Sequence, residues 1–403
     1  MRKFRRSGPV LSKRVLTMPF SPIRKLSTFA DEAKQKGIHV YHLNIGQPDI
    51  ATPKEMFEAI AQYREKVLSY GPSGGLLDLR LAVADYYRRY GIDIDLDNVW
   101  ITTGGSEAIL YSMMAVCDPG DEIIVFEPFY TNYNGLAIMA QVKLVPITTG
   151  VENGFHLPAQ KQIEAKITRR TRAILVNSPN NPTGTVLTEQ EMYILYKICK
   201  KHRIFLLSDE VYREFVYDGR VQTSALSLPE IQDQVIVLDS ISKRFSACGA
   251  RIGCIINRDK KLMDEVIKFS QARLCPPTIE QVGAIAAYRV FDHYIKSVIV
   301  EYEHRRNFLF EGLQKIAGVY GHKPEGAFYT VLRLPVKNAD NFCRWLLTDF
   351  ELNKQTVMFA PANGFYSSPR KGTNEVRIAY VLKEEDLGNA LVLLDAALRK
   401  YKD

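Results

Sequence analysis

Residues 239–253, Asp-Ser-Ile-Ser-Lys-Arg-Phe-Ser-Ala-Cys-Gly-Ala-Arg-Ile-Gly, decide how the chain is read. They set one lysine, Lys243, among hydroxyls and arginines between two apolar runs, 235–238 and 252–256. An amine buried between strands is costly unless its charge is neutralised or paired. A Schiff base with an aldehyde cofactor removes that difficulty. Ser240, three residues before the lysine, and Arg251, eight after it, are the donors a phosphate tail would need. A solvated loop lysine is the competing reading.

Outward from this stretch, short and nearly continuous apolar runs recur at 99–103, 122–126, 142–147, 173–177, 204–208, 235–239 and 252–256. Runs without polar alternation suit strands buried on both faces of a parallel sheet. Helical segments lie between several of them. One opens on Thr188 as N-cap, with Glu191 three residues on as in a capping box, and runs to about His202. The alternation predicts an α/β fold with a mostly parallel sheet. After about residue 284 the texture changes to a long amphipathic stretch (294–316), a strand (327–334), a helix (338–347) and a last helix (384–401). These predict a second, smaller α+β unit.

The chain has 403 residues, 46% hydrophobic and 24% charged, which is ordinary globular composition with room for a large core. No apolar run approaches the length needed to span a bilayer. Six cysteines lack metal-ligand or disulfide-framework spacing, which favours a reducing, cytoplasmic setting and no metal. The net charge of +8 is concentrated at Arg2, Lys3, Arg5, Arg6, Lys13 and Arg14. A transit peptide or a nucleic-acid arm has this look, but no apolar segment of secretory type follows. We expect a basic arm lying over a partner subunit or solvent, with no nucleic acid and no membrane as partner.

Polar residues gather where the expected strands end. Gly104-Gly105-Ser106-Glu107 follows the first and opens a helix, where backbone N–H groups and the helix N-terminus favour an anion; a tight capped turn is the alternative. Tyr130 follows the second and could cover a planar ring, or belong to the core. Asn181, in the loop 177–184 with two Xaa-Pro bonds, sits where open α/β sheets bind ligands. Asp209 ends a strongly apolar run, so its carboxylate needs a cation; a protonated pyridine nitrogen would serve, with Tyr212 near the same ring. An N-cap or solvent-facing role for Asp209 is the competing reading.

Taken together, the motifs resemble the class I/II aminotransferases of pyridoxal-phosphate fold type I, and most of all their prokaryotic aspartate-aminotransferase-like branch. The resemblance runs over about residues 20–400, from Asn44-Ile45-Gly46-Gln47-Pro48 through Asn181-Pro182-Thr183-Gly184 and Ser208-Asp209-Glu210-Val211-Tyr212. It continues through Ser240-Ile241-Ser242-Lys243 and Gly249-Ala250-Arg251-Ile252-Gly253 to Glu375-Val376-Arg377-Ile378-Ala379-Tyr380. It implies a seven-stranded, mostly parallel sheet in an α/β/α sandwich, plus a smaller α+β domain formed by both chain ends. The implied boundaries are 1–48 (arm and part of the small domain), 49–283 (large cofactor domain) and 284–403 (small domain). It implies pyridoxal 5'-phosphate on Lys243, Asp209 on the pyridinium, and Tyr212 and Asn181 on the ring hydroxyl. Gly105, Ser106, Ser240 and Arg251 would hold phosphate, Tyr130 would stack on the ring, and Tyr70 would reach the neighbouring subunit's site in a homodimer. Arg377, assisted by Asn181 and Gly46, would clamp the substrate carboxylate. Cis bonds before Pro128 and Pro182 are implied as well.

The chain departs from that pattern in places. Ser106 stands where one aspartate-selective group has lysine, so aspartate is only the first guess for the donor. Arg273 is then the candidate cation for a side-chain carboxylate, against a structural role. The expected reaction moves an amino group from an L-amino acid to a 2-oxo acid such as 2-oxoglutarate. A lyase or decarboxylase would keep the same lysine, aspartate and arginine. A regulatory protein with an aminotransferase-like domain would need a DNA-binding module, and the residues before position 20 are too few for one.

Overall fold

The seven apolar runs line up as one sheet whose inner strands are buried on both faces, while the edge run 143–148 is only partly covered. The computed structural model describes residues 9–228 and 230–402. Its strands are β1 (His39–His42), β2 (Val99–Thr102), β3 (Glu122–Glu127), β4 (Lys143–Thr148), β5 (Thr171–Asn177) and β6 (Phe205–Asp209). They continue with β7 (Val235–Ser240), β8 (Gly253–Ile256), β9 (Tyr329–Arg333), β10 (Gln355–Met358), β11 (Ala360–Pro361) and β12 (Glu375–Ala379). The large sheet has the order β2-β8-β7-β6-β5-β3-β4. β7, between β8 and β6, is buried at every position, and each Val, Leu or Ile enclosed there contributes about 1.5–3 kcal/mol.

The sheet is parallel except for β8, which runs antiparallel to both β7 and β2. A parallel return needs a crossover that packs back along the sheet. Here the connection instead turns over the sheet edge through the short helix Ile241–Arg244 and a left-handed Arg251 (φ 54°). The carboxyl ends of β2, β3, β5, β6 and β7 therefore share one edge, where doubly wound sheets bind ligands.

Helix Glu189–His202 starts as the sequence predicts. Thr188 Oγ1 accepts from the Glu191 amide at 3.2 Å, and Glu191 accepts from the Thr188 amide at 2.8 Å. Lys200, Lys201 and His202 occupy its last turn, where cations suit the helix dipole.

The smaller α+β unit draws on both chain ends. β1 pairs in parallel with β10, and β11-β12-β9 form an antiparallel sheet. Helices Phe291–Leu313 and Glu384–Lys400 pack on one another beside it. Lys13 and Arg14 of the basic arm lie in helix Lys13–Thr17, while Arg2, Lys3, Arg5 and Arg6 fall outside the described residues. One local expectation is corrected. Cis peptides precede Pro128 and Pro179, and the bond before Pro182 is trans. No helix among the described residues is long and apolar enough to cross a membrane.

Candidate active site

A cavity of about 450 Å³ opens at the shared strand edge and is closed by the smaller unit. It gathers Lys243, Asp209, Tyr212, Tyr130, Asn181, Gly105, Ser106, Ser240, Arg251, Gly46 and Arg377. Eleven of the thirteen residues expected from the sequence thus meet in one place. Tyr70 and Arg273 do not line it in their own chain.

β6 delivers Asp209 after the apolar Phe205-Leu206-Leu207 and Ser208, and among the described residues the buried side chain has no cation paired with it. Tyr133 Oη donates to Oδ2 at 2.7 Å and the Val211 amide donates to Oδ1 at 3.3 Å. Loss of hydration outweighs these bonds, and the carboxyl is pushed up to about 6. β5 ends in Asn177, whose side chain accepts from the Asn181 amide at 2.7 Å and donates to the Asp209 carbonyl at 2.9 Å. The loop after β5 is thereby fixed to β6. Asn181 then spans the cavity, donating to Tyr212 Oη at 3.4 Å and accepting from Arg377 Nη1 at 3.0 Å.

Lys243 follows β7 on the short helix. Its Nζ donates to the Gly46 carbonyl at 2.7 Å and to Cys248 Sγ at 3.6 Å. Tyr329 Oη lies 3.3 Å from the same carbonyl and 2.9 Å from Tyr212 Oη. Gly46 has to be glycine here, since a Cβ would fall 1.8 Å from the Tyr329 hydroxyl oxygen. Burial pushes the Tyr212 hydroxyl well above its ordinary value and that of Tyr130 up to about 12, so both stay protonated.

At the other end, Gly105 and Ser106 open helix Gly105–Val116. Gly104 is left-handed (φ 75°), and a Cβ there would lie 2.3 Å from Arg251 Nη2. A helix N-terminus and a guanidinium thus meet at this end of the cavity, and Glu107 of the same first turn is not among the residues lining it, as an anion site requires.

Arg377, from the middle of β12, is 1% exposed. Its guanidinium lies over Tyr329 and Phe365, and its Nη groups donate to Asn181 and to the Asn44 carbonyl. No carboxylate meets it, and Nε has no partner among the described residues. Burial pulls it below the ordinary arginine value.

Arg273 is used differently. It pairs with Glu107 at 3.3 Å and donates to the Ser73 and Ile101 carbonyls, so within its own chain it ties the loop at 71–75 to helix Gly105–Val116. Sequence reasoning missed several contributors: Tyr133, Tyr329, Asn177, Cys248 and the segment carrying Ser21, Ile23 and Arg24. Tyr133 offered a signal, standing one helical turn after Tyr130. Asn177 and Cys248 lie within the loop 177–184 and the stretch 239–253 but carry no signal of their own there, whereas Tyr329 and the segment 21–24 are brought in from distant parts of the chain.

Residues 38–394 match the family model for aminotransferases of class I and II, and the chain belongs to that family. It is an aminotransferase. An aspartate aminotransferase from Rhizobium meliloti is 30% identical over 96% of each chain. A crystal structure of aspartate aminotransferase from Thermotoga maritima superposes with a TM-score of 0.89 at 30% identity, covering 97% of this chain and all of the other. The structure of an alanine aminotransferase from Pyrococcus furiosus gives 0.88 at 32% identity, with the same coverage. Fold type I and its mostly parallel sheet are common to them.

Proposed function

We propose that the cavity binds pyridoxal 5'-phosphate and that the enzyme moves an amino group from an L-amino acid, aspartate first, to a 2-oxo acid such as 2-oxoglutarate. The charge pattern of the cavity carries this reading. One buried carboxylate without a cation lies at one side, and the cations Lys243, Arg251 and Arg377 face the same space without carboxylates. A ligand with a cationic ring nitrogen and an anionic tail, together with a substrate carboxylate, complements that pattern group by group.

When bound, the cofactor supplies an aldehyde for the amino group and a ring that draws electrons from the substrate α-carbon. Asp209 would hold the proton on the ring nitrogen, with Tyr133 fixing the carboxylate. Tyr212 and Asn181 would donate to the ring hydroxyl, and Tyr130 would cover the ring. Gly105, Ser106, Ser240 and Arg251 would bind the phosphate. Lys243 Nζ would attach the cofactor and, once released, carry the proton to and from the α-carbon as general base and acid. Arg377 would grip the α-carboxylate, held in place by Asn181 and Asn44.

The proposal extends to a homodimer with shared sites. Tyr70 is 80% exposed, on a loop that also exposes Val67 and Leu68, as a residue reaching a neighbour's site would be. The boundaries we propose are 1–48 and 284–403 for the smaller domain and 49–283 for the larger. The free cysteines support a cytoplasmic setting.

Borohydride reduction of the yellow protein should label Lys243, and Lys243→Ala should abolish transamination while keeping part of the cofactor affinity. Labelling of another residue, or normal transfer by Lys243→Ala, overturns the reading. A panel of donors, read by the cofactor's absorbance, ranks aspartate against the rest. A single half-reaction that yields the amine form of the cofactor, pyridoxamine phosphate, together with the oxo acid separates transfer from elimination or decarboxylation, which return the cofactor as the aldehyde.

A further inference from the structure

Among the cavity's lining residues are four cations, Arg24, Lys243, Arg251 and Arg377. The reading above uses three of them. Arg24 comes from the turn that precedes helix Ser27–Gln35, and no group of the cofactor or of the reacting amino acid backbone is assigned to it. Its side chain is exposed and makes no ion pair or hydrogen bond among the described residues. The adjacent Lys25 differs: its Nζ is 2.6 Å from Asp340. Two successive cations are thus separated into one with an acidic partner and one facing the cavity without any.

The position of Arg24 is fixed through the substrate end of the site. Asn44, fully buried, accepts from Arg377 through its carbonyl and donates through Nδ2 to the Ile23 carbonyl at 3.0 Å. The turn is closed locally by the Arg24 amide on the Ser21 carbonyl at 3.1 Å and the Ser27 amide on the Arg24 carbonyl at 3.0 Å. One asparagine therefore joins the buried arginine to the residue next to Arg24. Arg273, the cation expected from the sequence for a second carboxylate, is already paired with Glu107.

We infer that Arg24 binds the distal carboxylate of dicarboxylic substrates, the amino acid donor and the 2-oxo acid acceptor alike. The inference rests on the aminotransferase reading of the same cavity and adds the residue that selects substrate class. The α-carboxylate belongs to Arg377, at the buried end. A four- or five-carbon diacid held there turns its second carboxylate toward the mouth, where Arg24 waits as a charge-assisted donor. An exposed arginine on a long side chain also leaves room for a neutral side chain beside Ile23, Ile45 and Ile109, which line the same cavity, so discrimination is one of degree.

The test is Arg24→Gln in the holoenzyme, with half-reactions followed by cofactor absorbance. Losing a charge-assisted contact of this kind should lower kcat/KM for aspartate, glutamate and 2-oxoglutarate by about 30-fold. The values for alanine and pyruvate should stay within about twofold, and Arg24→Lys should recover part of the loss. Succinate, which carries no amine, gives an independent readout: its thermal shift should weaken in Arg24→Gln, while that of butyrate should not. Equal changes for both substrate classes, an unchanged succinate shift, or a selective loss in Arg273→Ala alone would overturn the inference. A wild-type enzyme that binds succinate through Arg24 yet converts no amino acid would sink the aminotransferase chemistry and leave the carboxylate contact standing.

Discussion

Two of the almost completely enclosed arginines, Arg244 and Arg377, meet opposite surroundings. Arg244 is 0% exposed, and its guanidinium is paired with Glu214 and Asp239, each at 2.8 Å. It also donates to the hydroxyls of Tyr86 and Tyr288, and Tyr87 donates to the same Asp239. Arg377 is buried as deeply, yet meets an asparagine oxygen, a carbonyl and two aromatic rings, with Nε unmet. One charge is complete within the protein, whereas the other has been desolvated in advance and left for a partner. Burial alone does not distinguish structure from function; the state of the counter-charge does.

The contrast can be broken at either end. The largest effect on folding is expected at the closed cluster. Arg244→Met strands two buried carboxylates, and urea unfolding should show a loss of about 3–5 kcal/mol. If stability is unchanged, the cluster is not what holds the lysine-bearing turn. Arg377→Leu is the reverse case. It should lower kcat/KM for every amino acid by about 100-fold or more, because a charge-assisted clamp is lost, without a comparable fall in stability. A variant that unfolds as readily as Arg244→Met would remove the distinction.

The smallest effect concerns Asp209, the acidic counterpart of Arg377. Its folded pKa of about 6 lies above that of the unfolded chain. Between roughly pH 4 and 6 the cofactor-free fold therefore holds a proton that the unfolded chain has released, and stability falls as pH rises through that window. Above about pH 6 the penalty is constant. Cofactor-free Asp209→Asn should lose that slope and be more stable at neutral pH by about 1–3 kcal/mol. An identical pH profile in both proteins would show that the carboxylate is already compensated.

How much of this could be read in the sequence depended on distance along the chain. The strands, the Thr188–Glu191 cap and the Gly105–Ser106 helix start are local, and periodicity and turn chemistry reveal them. Lys243, Ser240 and Arg251 share one turn, so they too were legible as a unit. Arg377 and Asn44 lie 333 positions apart and meet only because β1 pairs with β10 beside β12. Nothing in the residues around either announces the contact, and only resemblance to a family marked Arg377. Arg273 shows the converse. Its charge was visible, but not the Glu107 carboxylate 166 positions away that occupies it. The Pro182 expectation failed for a related reason, since the isomer of each bond in the loop after β5 is set by packing that composition does not encode.

Asn44 gives the chain a way to diverge. Its carbonyl meets Arg377, the clamp proposed for the part shared by all donors, while its side-chain nitrogen holds the Ile23 carbonyl beside the cavity. Residues 21–24 are attached there through a main-chain oxygen, which any amino acid provides. Descendants could exchange the side chains of that segment, and with them the appetite for acidic, aromatic or aliphatic nutrients, while inheriting the grip on the common part of every substrate unaltered.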